Sequence, residues 1–125
     1  GGPRNGLVIP PSLLECVPAD CKLSCEEAFG PVATLDAVTS REDALDRMSN
    51  SRYGLQAGLF TNDLAFIHKA FERLPVGGII VNDIPTFRSD AMPYGGMKDS
   101  GIGREGVRYA MEDFTEPKTL VMKTI

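Results

Sequence analysis

Several side chains in this sequence stand at spacings that suit chemistry. The longest candidate segment is the glycine-studded loop around Asn82, Phe87, Arg88 and Tyr94, which follows an apolar run and opens a helical pattern. An amide, two aromatic rings and a guanidinium at the end of a buried strand suit the mouth of a pocket. Loops of this length in a compact domain are functional or disordered. The rings could equally pack over a neighbouring element, and Arg88 has Asp83 and Asp90 close by in sequence for a salt bridge. A second candidate is the pair Glu26-Glu27, followed by Ala28, Phe29, Gly30 and Pro31. From residue types alone such a pair is commonly a solvated acidic face.

Two other patterns carry less. Gly101-Ile-Gly103-Arg-Glu-Gly106 satisfies G-x-G-x-x-G, but a dinucleotide loop needs a buried strand just before it and an acidic residue about twenty positions after it. Here Met97-Lys98-Asp99-Ser100 precedes the first glycine and the sequence stops at Ile125. These glycines are expected instead to let the loop approach other backbone before a helix begins. Cys16, Cys21 and Cys25 are odd in number and match no common zinc or haem spacing, so no metal site is expected. Cys25 is no candidate nucleophile, because Glu26 and Glu27 would raise its pKa and His68, the one histidine, is far off in sequence.

The stretch from Asn82 to Gly106, containing Pro-Thr-Phe-Arg-Ser-Asp-Ala-Met-Pro-Tyr-Gly-Gly-Met-Lys-Asp-Ser-Gly, resembles the C-terminal signature of aldehyde dehydrogenases. Glu26-Glu-Ala-Phe-Gly-Pro-Val32 resembles that family's segment at the cofactor ribose, and the two blocks stand in the family's order. The resemblance runs over the whole sequence and implies the C-terminal part of a catalytic domain (residues 1-116) with a terminal oligomerisation strand (117-125). It implies that Glu27 and Phe29 meet the nicotinamide ribose of NAD or NADP, an assignment that suits the chemistry. A carboxylate offers two acceptor oxygens to a pair of hydroxyls, and a phenyl ring offers an apolar face. It further implies that Asn82, Phe87, Arg88 and Tyr94 line the aldehyde site. The loop variant looks most like enzymes acting on lactaldehyde or on phosphonate- and sulfonate-bearing aldehydes, where Arg88 would grip an anionic group. Family members attack the aldehyde with a cysteine and release the acid with a glutamate base. Neither motif has a counterpart between Gly1 and Ile125, so no catalytic residue is assigned and the isolated chain is expected to be inactive. With no initiating Met before Gly1, the start is expected to be a cleavage product, a designed boundary or an internal cut. A non-catalytic assembly module is the alternative reading, and a free-standing nucleotide-binding domain a third.

The elements that position these residues follow from periodicity. Residues 1-30, broken by Pro3, Pro10, Pro11 and Pro18, read as loops with one hairpin-like segment. Val32 to Val38 is a β-compatible run, and Ser40 with Asp43 three residues on resembles a helix-opening box before Ala44, Leu45 and Met48. Leu55 to Phe60 reads as a strand. Thr61 or Asn62 could cap a second helix carrying Leu64, Ile67, Phe71 and Leu74 on one side, closed by Pro75. Val76 to Val81 reads as a strand covered on both faces. The resulting strand-helix-strand-helix-strand order predicts a parallel α/β unit, with the loop from Asn82 leaving a carboxyl end of the sheet. Val107, Ala110, Met111 and Phe114 describe a third helix, and Lys118 to Thr124 an extended tail whose unpaired edge would favour self-association.

Composition sets the boundaries. A chain of 125 residues that is 42% hydrophobic can build a core without disulfides. With 13 Lys+Arg against 17 Asp+Glu, the net charge of -4 and the lack of a basic run argue against nucleic acid. No apolar run approaches the ~18 to 20 residues of a membrane span, and no signal sequence opens the chain. Unpaired cysteines fit a reducing cytoplasm.

Overall fold

The computed structural model describes Gly1 to Thr124, and the last residue of the expected tail, Ile125, lies outside the described residues. The chain divides into two compact units, Gly1–Arg52 and Tyr53–Ile125.

In the first unit, β1 (Ser12–Glu15) pairs in parallel with β2 (Val32–Leu35), Ser12 opposite Val32 and Glu15 opposite Leu35. The hairpin-like feature is confined to a tight turn in which Asn5 and Val8 exchange two 3.0 Å backbone bonds. The expected irregular stretch therefore contains a strand, β1, followed by the four-residue helix α1 (Lys22–Cys25). Helix α2 (Arg41–Ser49) begins where the sequence says it should: Ser40 Oγ accepts from the Asp43 N–H at 3.1 Å. Asp43 reaches back one residue further than a standard box, accepting from the Thr39 N–H at 3.1 Å. It also accepts from Arg47 Nε at 2.9 Å, and Arg47 first and Thr39 second hold its carboxyl below the usual range. Leu45 is fully buried on this helix.

In the second unit, β3 (Tyr53–Gly54) leads into β4 (Gln56–Leu59), helix α3 (Leu64–Arg73) and β5 (Gly78–Val81). β4 and β5 are parallel, Gln56 opposite Gly78 and Leu59 opposite Val81, which is the strand-helix-strand crossover that the sequence predicts. The parallel pairing runs within each unit: β1 with β2, and β4 with β5. β5 is half-buried rather than covered on both faces.

Helix α3 is capped by Asp63, whose Oδ1 accepts from the Phe66 N–H at 3.1 Å, and not by Thr61 or Asn62. Its buried positions are Ala70 and, just past its end, Leu74, while Leu64 and Phe71 are about 70% exposed. At ~100° per residue Leu64 and Phe71 lie roughly a quarter-turn round from Ala70 and Leu74. The apolar stripe is thus wider than the face that is covered.

Backbone crowding fixes the loop that leaves β5. A Cβ on Gly77 would strike the carbonyl of Gly95 and crowd that of Leu55, so the far end of the loop returns to the start of the strand it left. β6 (Met97–Lys98) then pairs antiparallel with β3, and Ser100 Oγ accepts from the Gly54 N–H at 2.9 Å. Helix α4 (Val107–Asp113) follows Gly106. Its apolar side is open, with Val107, Met111 and Phe114 between 62% and 90% exposed. Residues 117 to 124 form no strand, and Leu120, Val121 and Met122 are exposed.

Candidate functional site

The loop between β5 and β6 holds four of the six expected site residues. Asn82 ends β5 with a φ of 58°, a conformation in which Asn is enriched among non-glycine residues. Its backbone N–H extends the ladder to the Leu59 carbonyl at 2.6 Å. Its side chain binds the β4–α3 connection, Oδ1 accepting from the Thr61 N–H at 2.9 Å and Nδ2 donating to Asn62 Oδ1 at 3.3 Å. The Asn82 amide therefore sets the end of the sheet from which the loop departs.

Phe87, Arg88 and Tyr94 stand further along. The Phe87 ring is half-exposed and its carbonyl accepts from Gln56 Nε2 at 3.3 Å, tying the loop to β4. The Arg88 guanidinium carbon lies 4.3 Å from the centre of the Tyr94 ring, a cation–π contact. Arg88 Nη2 donates to Glu105 Oε2 at 2.8 Å. Neither Asp83 nor Asp90 is the partner that sequence proximity suggests. Tyr94 and Glu105 face each other across an isolated antiparallel bridge, with bonds of 3.1 and 2.5 Å, and that bridge brings the Glu105 carboxylate to Arg88. Only Nη2 of the guanidinium is engaged among the described residues, so Nε and Nη1 remain available to a ligand. Tyr94 and Glu105 also line a cavity of about 410 Å³ along the glycine turn before α4.

That turn corrects the expectation for its glycines. Gly101, Gly103 and Gly106 have φ of 140°, 75° and 118°, and nothing lies within 4 Å of a Cβ placed on Gly101. Left-handed backbone is the main reason for glycine here, and only Gly106 also faces close neighbours, Met92 O and Tyr109. The strand before Gly101, β6, is two exposed residues paired antiparallel and not the buried strand that a dinucleotide loop needs.

Glu27 and Phe29 belong to the first unit, between α1 and β2. The Phe29 ring is 94% exposed. Glu27 is exposed and its carboxylate has no hydrogen-bond partner among the described residues, leaving both oxygens free for two hydroxyls. That donor-accepting pair and bare ring fit a ribose. The neighbouring thiols are occupied otherwise: Cys25 donates to the Ala19 carbonyl at 3.2 Å, and the Ser24 hydroxyl lowers the Cys21 pKa. Among the described residues no three metal-binding side chains cluster, and no helix is long and apolar enough to cross a membrane.

Comparison with known proteins decides the family. Residues 1–120 match the model of the aldehyde dehydrogenase family. The chain belongs to the aldehyde dehydrogenase family. It is 45% identical over 122 residues to a 3-sulfolactaldehyde dehydrogenase of Priestia aryabhattai, covering 98% of this chain and 26% of that protein. It is 48% identical, with the same coverage, to a lactaldehyde dehydrogenase of Methanococcus vannielii. Among solved structures, aldehyde dehydrogenase 21 of Physcomitrella patens, in complex with the product succinate, superposes with a TM-score of 0.91 at 49% identity. That superposition covers 97% of this chain and 25% of the moss enzyme. The chain thus spans about a quarter of the length of the aldehyde dehydrogenases it resembles. The moss enzyme extends the α/β character of both units to the fold of this family.

Proposed function

We propose that this chain is the C-terminal part of the catalytic region of an NAD(P)-dependent dehydrogenase that oxidises a small aldehyde bearing an anionic group to the acid. The observation that carries the reading is the Arg88 guanidinium, seated on Tyr94 and engaged through Nη2 alone among the described residues, on the loop that leaves β5. A guanidinium so oriented suits a sulfonate or carboxylate. The names of relatives support that class: they include sulfolactaldehyde and sulfoacetaldehyde dehydrogenases, and the moss structure holds succinate. Phe87 and Asn82 shape the same loop.

Glu27 and Phe29 take the nicotinamide ribose, the carboxylate accepting from its hydroxyls and the ring shielding the sugar. NAD or NADP would supply the hydride acceptor. One related structure, a glyceraldehyde-3-phosphate dehydrogenase of Methanocaldococcus jannaschii, is complexed with NADP, and a betaine aldehyde dehydrogenase of Staphylococcus aureus holds NAD+. The nucleophile and the deacylating base come from sequence outside these 125 residues, and the enzyme acts in the cytoplasm. The test is aldehyde-dependent NAD(P)H formation. The full-length enzyme should turn over sulfoacetaldehyde faster than propanal at low concentration, and the isolated chain should turn over neither. No preference for the anionic substrate would remove the substrate class.

The exposed Leu120, Val121 and Met122 favour a second role, self-association through residues 117–125 as an added strand. Deleting that tail should lower the mass measured by light scattering to that of a smaller oligomer. An unchanged mass would end this reading.

A further inference from the structure

We infer that Gln56 is a positioning residue for substrate recognition, whose side-chain amide holds the Phe87–Arg88 peptide and so aims Arg88 at the anionic group. The inference rests on the substrate class proposed above. Contacts made inside the second unit carry it. Ala57 and Leu59 of β4 are buried, so Gln56 and Gly58 share the other face of the strand. The chain that leaves β5 runs back along β4 from its end. The Asn82 N–H donates to the Leu59 carbonyl at 2.6 Å, the Asp83 carbonyl and the Pro85 ring lie over Gly58, and the Phe87 carbonyl accepts from Gln56 Nε2 at 3.3 Å.

Two glycines clear the seat for this loop. A Cβ on Gly58 would stand 2.9 Å from the Asp83 carbonyl oxygen and 3.2 Å from Pro85 Cδ, so a larger residue would lift the loop off the strand. Gly78 stands opposite Gln56 in the β4–β5 register, and a Cβ there would crowd Gln56 Nε2 at 3.3 Å. The amide can therefore lie across β5 and reach the loop. Its bond falls on a particular peptide. The Phe87 carbonyl and the Arg88 N–H belong to one planar unit, so holding the oxygen sets the direction in which both side chains leave the backbone. Arg88 then lies with its guanidinium carbon 4.3 Å from the centre of the Tyr94 ring. Without the amide that plane can turn, and the guanidinium meets the anion in the productive orientation less of the time.

The experiment compares full-length wild type, Gln56→Ala, Gln56→Met and Arg88→Ala with sulfoacetaldehyde and propanal as probes. Met matches Gln in length and cover over Gly78 but has no N–H to donate. The readout is the ratio of the two kcat/KM values, sulfoacetaldehyde over propanal, which does not depend on the fraction of active enzyme. Both Gln56 variants should lower the ratio about fivefold, the worth of one neutral hydrogen bond. The change should come through a higher KM for sulfoacetaldehyde, with kcat nearly level. Arg88→Ala should lower the ratio further. A Gln56→Met ratio equal to wild type while Arg88→Ala lowers it would assign Gln56 to packing alone, overturning the inference and leaving the substrate class standing. If Arg88→Ala leaves the ratio unmoved, the substrate class itself fails and this inference with it.

Discussion

Arg88→Ala should cut kcat/KM for sulfoacetaldehyde by roughly 100-fold, with a much smaller loss for propanal. The magnitude follows from what is removed. Among the described residues Glu105 takes one hydrogen of Nη2; the other, with Nε or Nη1 beside it, can make two charge-assisted hydrogen bonds to a sulfonate, and bonds to charged groups are worth about 1.5 to 3 kcal/mol each. Solvent at the half-exposed loop trims the sum, leaving an effect near ~2.7 kcal/mol or two decades. Arg88→Lys should recover only part of it, because an ammonium cannot reproduce the planar fork or the stacking on Tyr94. The loss should fall mainly on KM, since the sulfonate keeps its charge throughout the reaction and is bound alike before and during it. Equal losses for both aldehydes would mean that Arg88 only supports the loop.

Glu27→Gln should lower kcat/KM for the cofactor by about 10- to 100-fold, the loss expected when charge-assisted bonds to two hydroxyls become one neutral contact. Glu27 is suited to the task because its carboxylate spends neither oxygen on a partner among the described residues. The substitution is isosteric and the site exposed, so folding should be untouched. Turnover at saturating cofactor should also fall, because a loosely held ribose leaves the nicotinamide misaligned for hydride transfer. Cofactor kcat/KM and the rate of hydride transfer both equal to wild type would defeat the assignment.

The extent to which the sequence foretells the structure depends on how local each signal is. The Ser40–Asp43 cap is readable because it closes within four residues, and the β4-α3-β5 crossover because each element has its own period. The cap of α3 is ambiguous by two positions: Thr61, Asn62 and Asp63 are all capping residue types, and only tertiary placement chooses Asp63. β1 stays hidden behind Pro10 and Pro11, since its partner β2 lies twenty residues away and parallel pairing leaves no hairpin signal. At the site, residue types single out Arg88 and Tyr94, but their partner Glu105 is out of reach of any short pattern. It arrives through a bridge that closes after the β6 excursion, 17 residues from Arg88. The G-x-G-x-x-G glycines show the opposite case, a strong pattern whose cause is left-handed backbone rather than a ligand.

The most direct test of the account is a crystal structure of the full-length enzyme with the acid product of an anionic aldehyde, sulfoacetate or succinate, bound at the active site. The account predicts an oxygen of the anionic group within ~3 Å of Arg88 Nε or Nη1, with the guanidinium still over Tyr94. An anionic group held by other residues, with Arg88 paired to Glu105 alone, would contradict it.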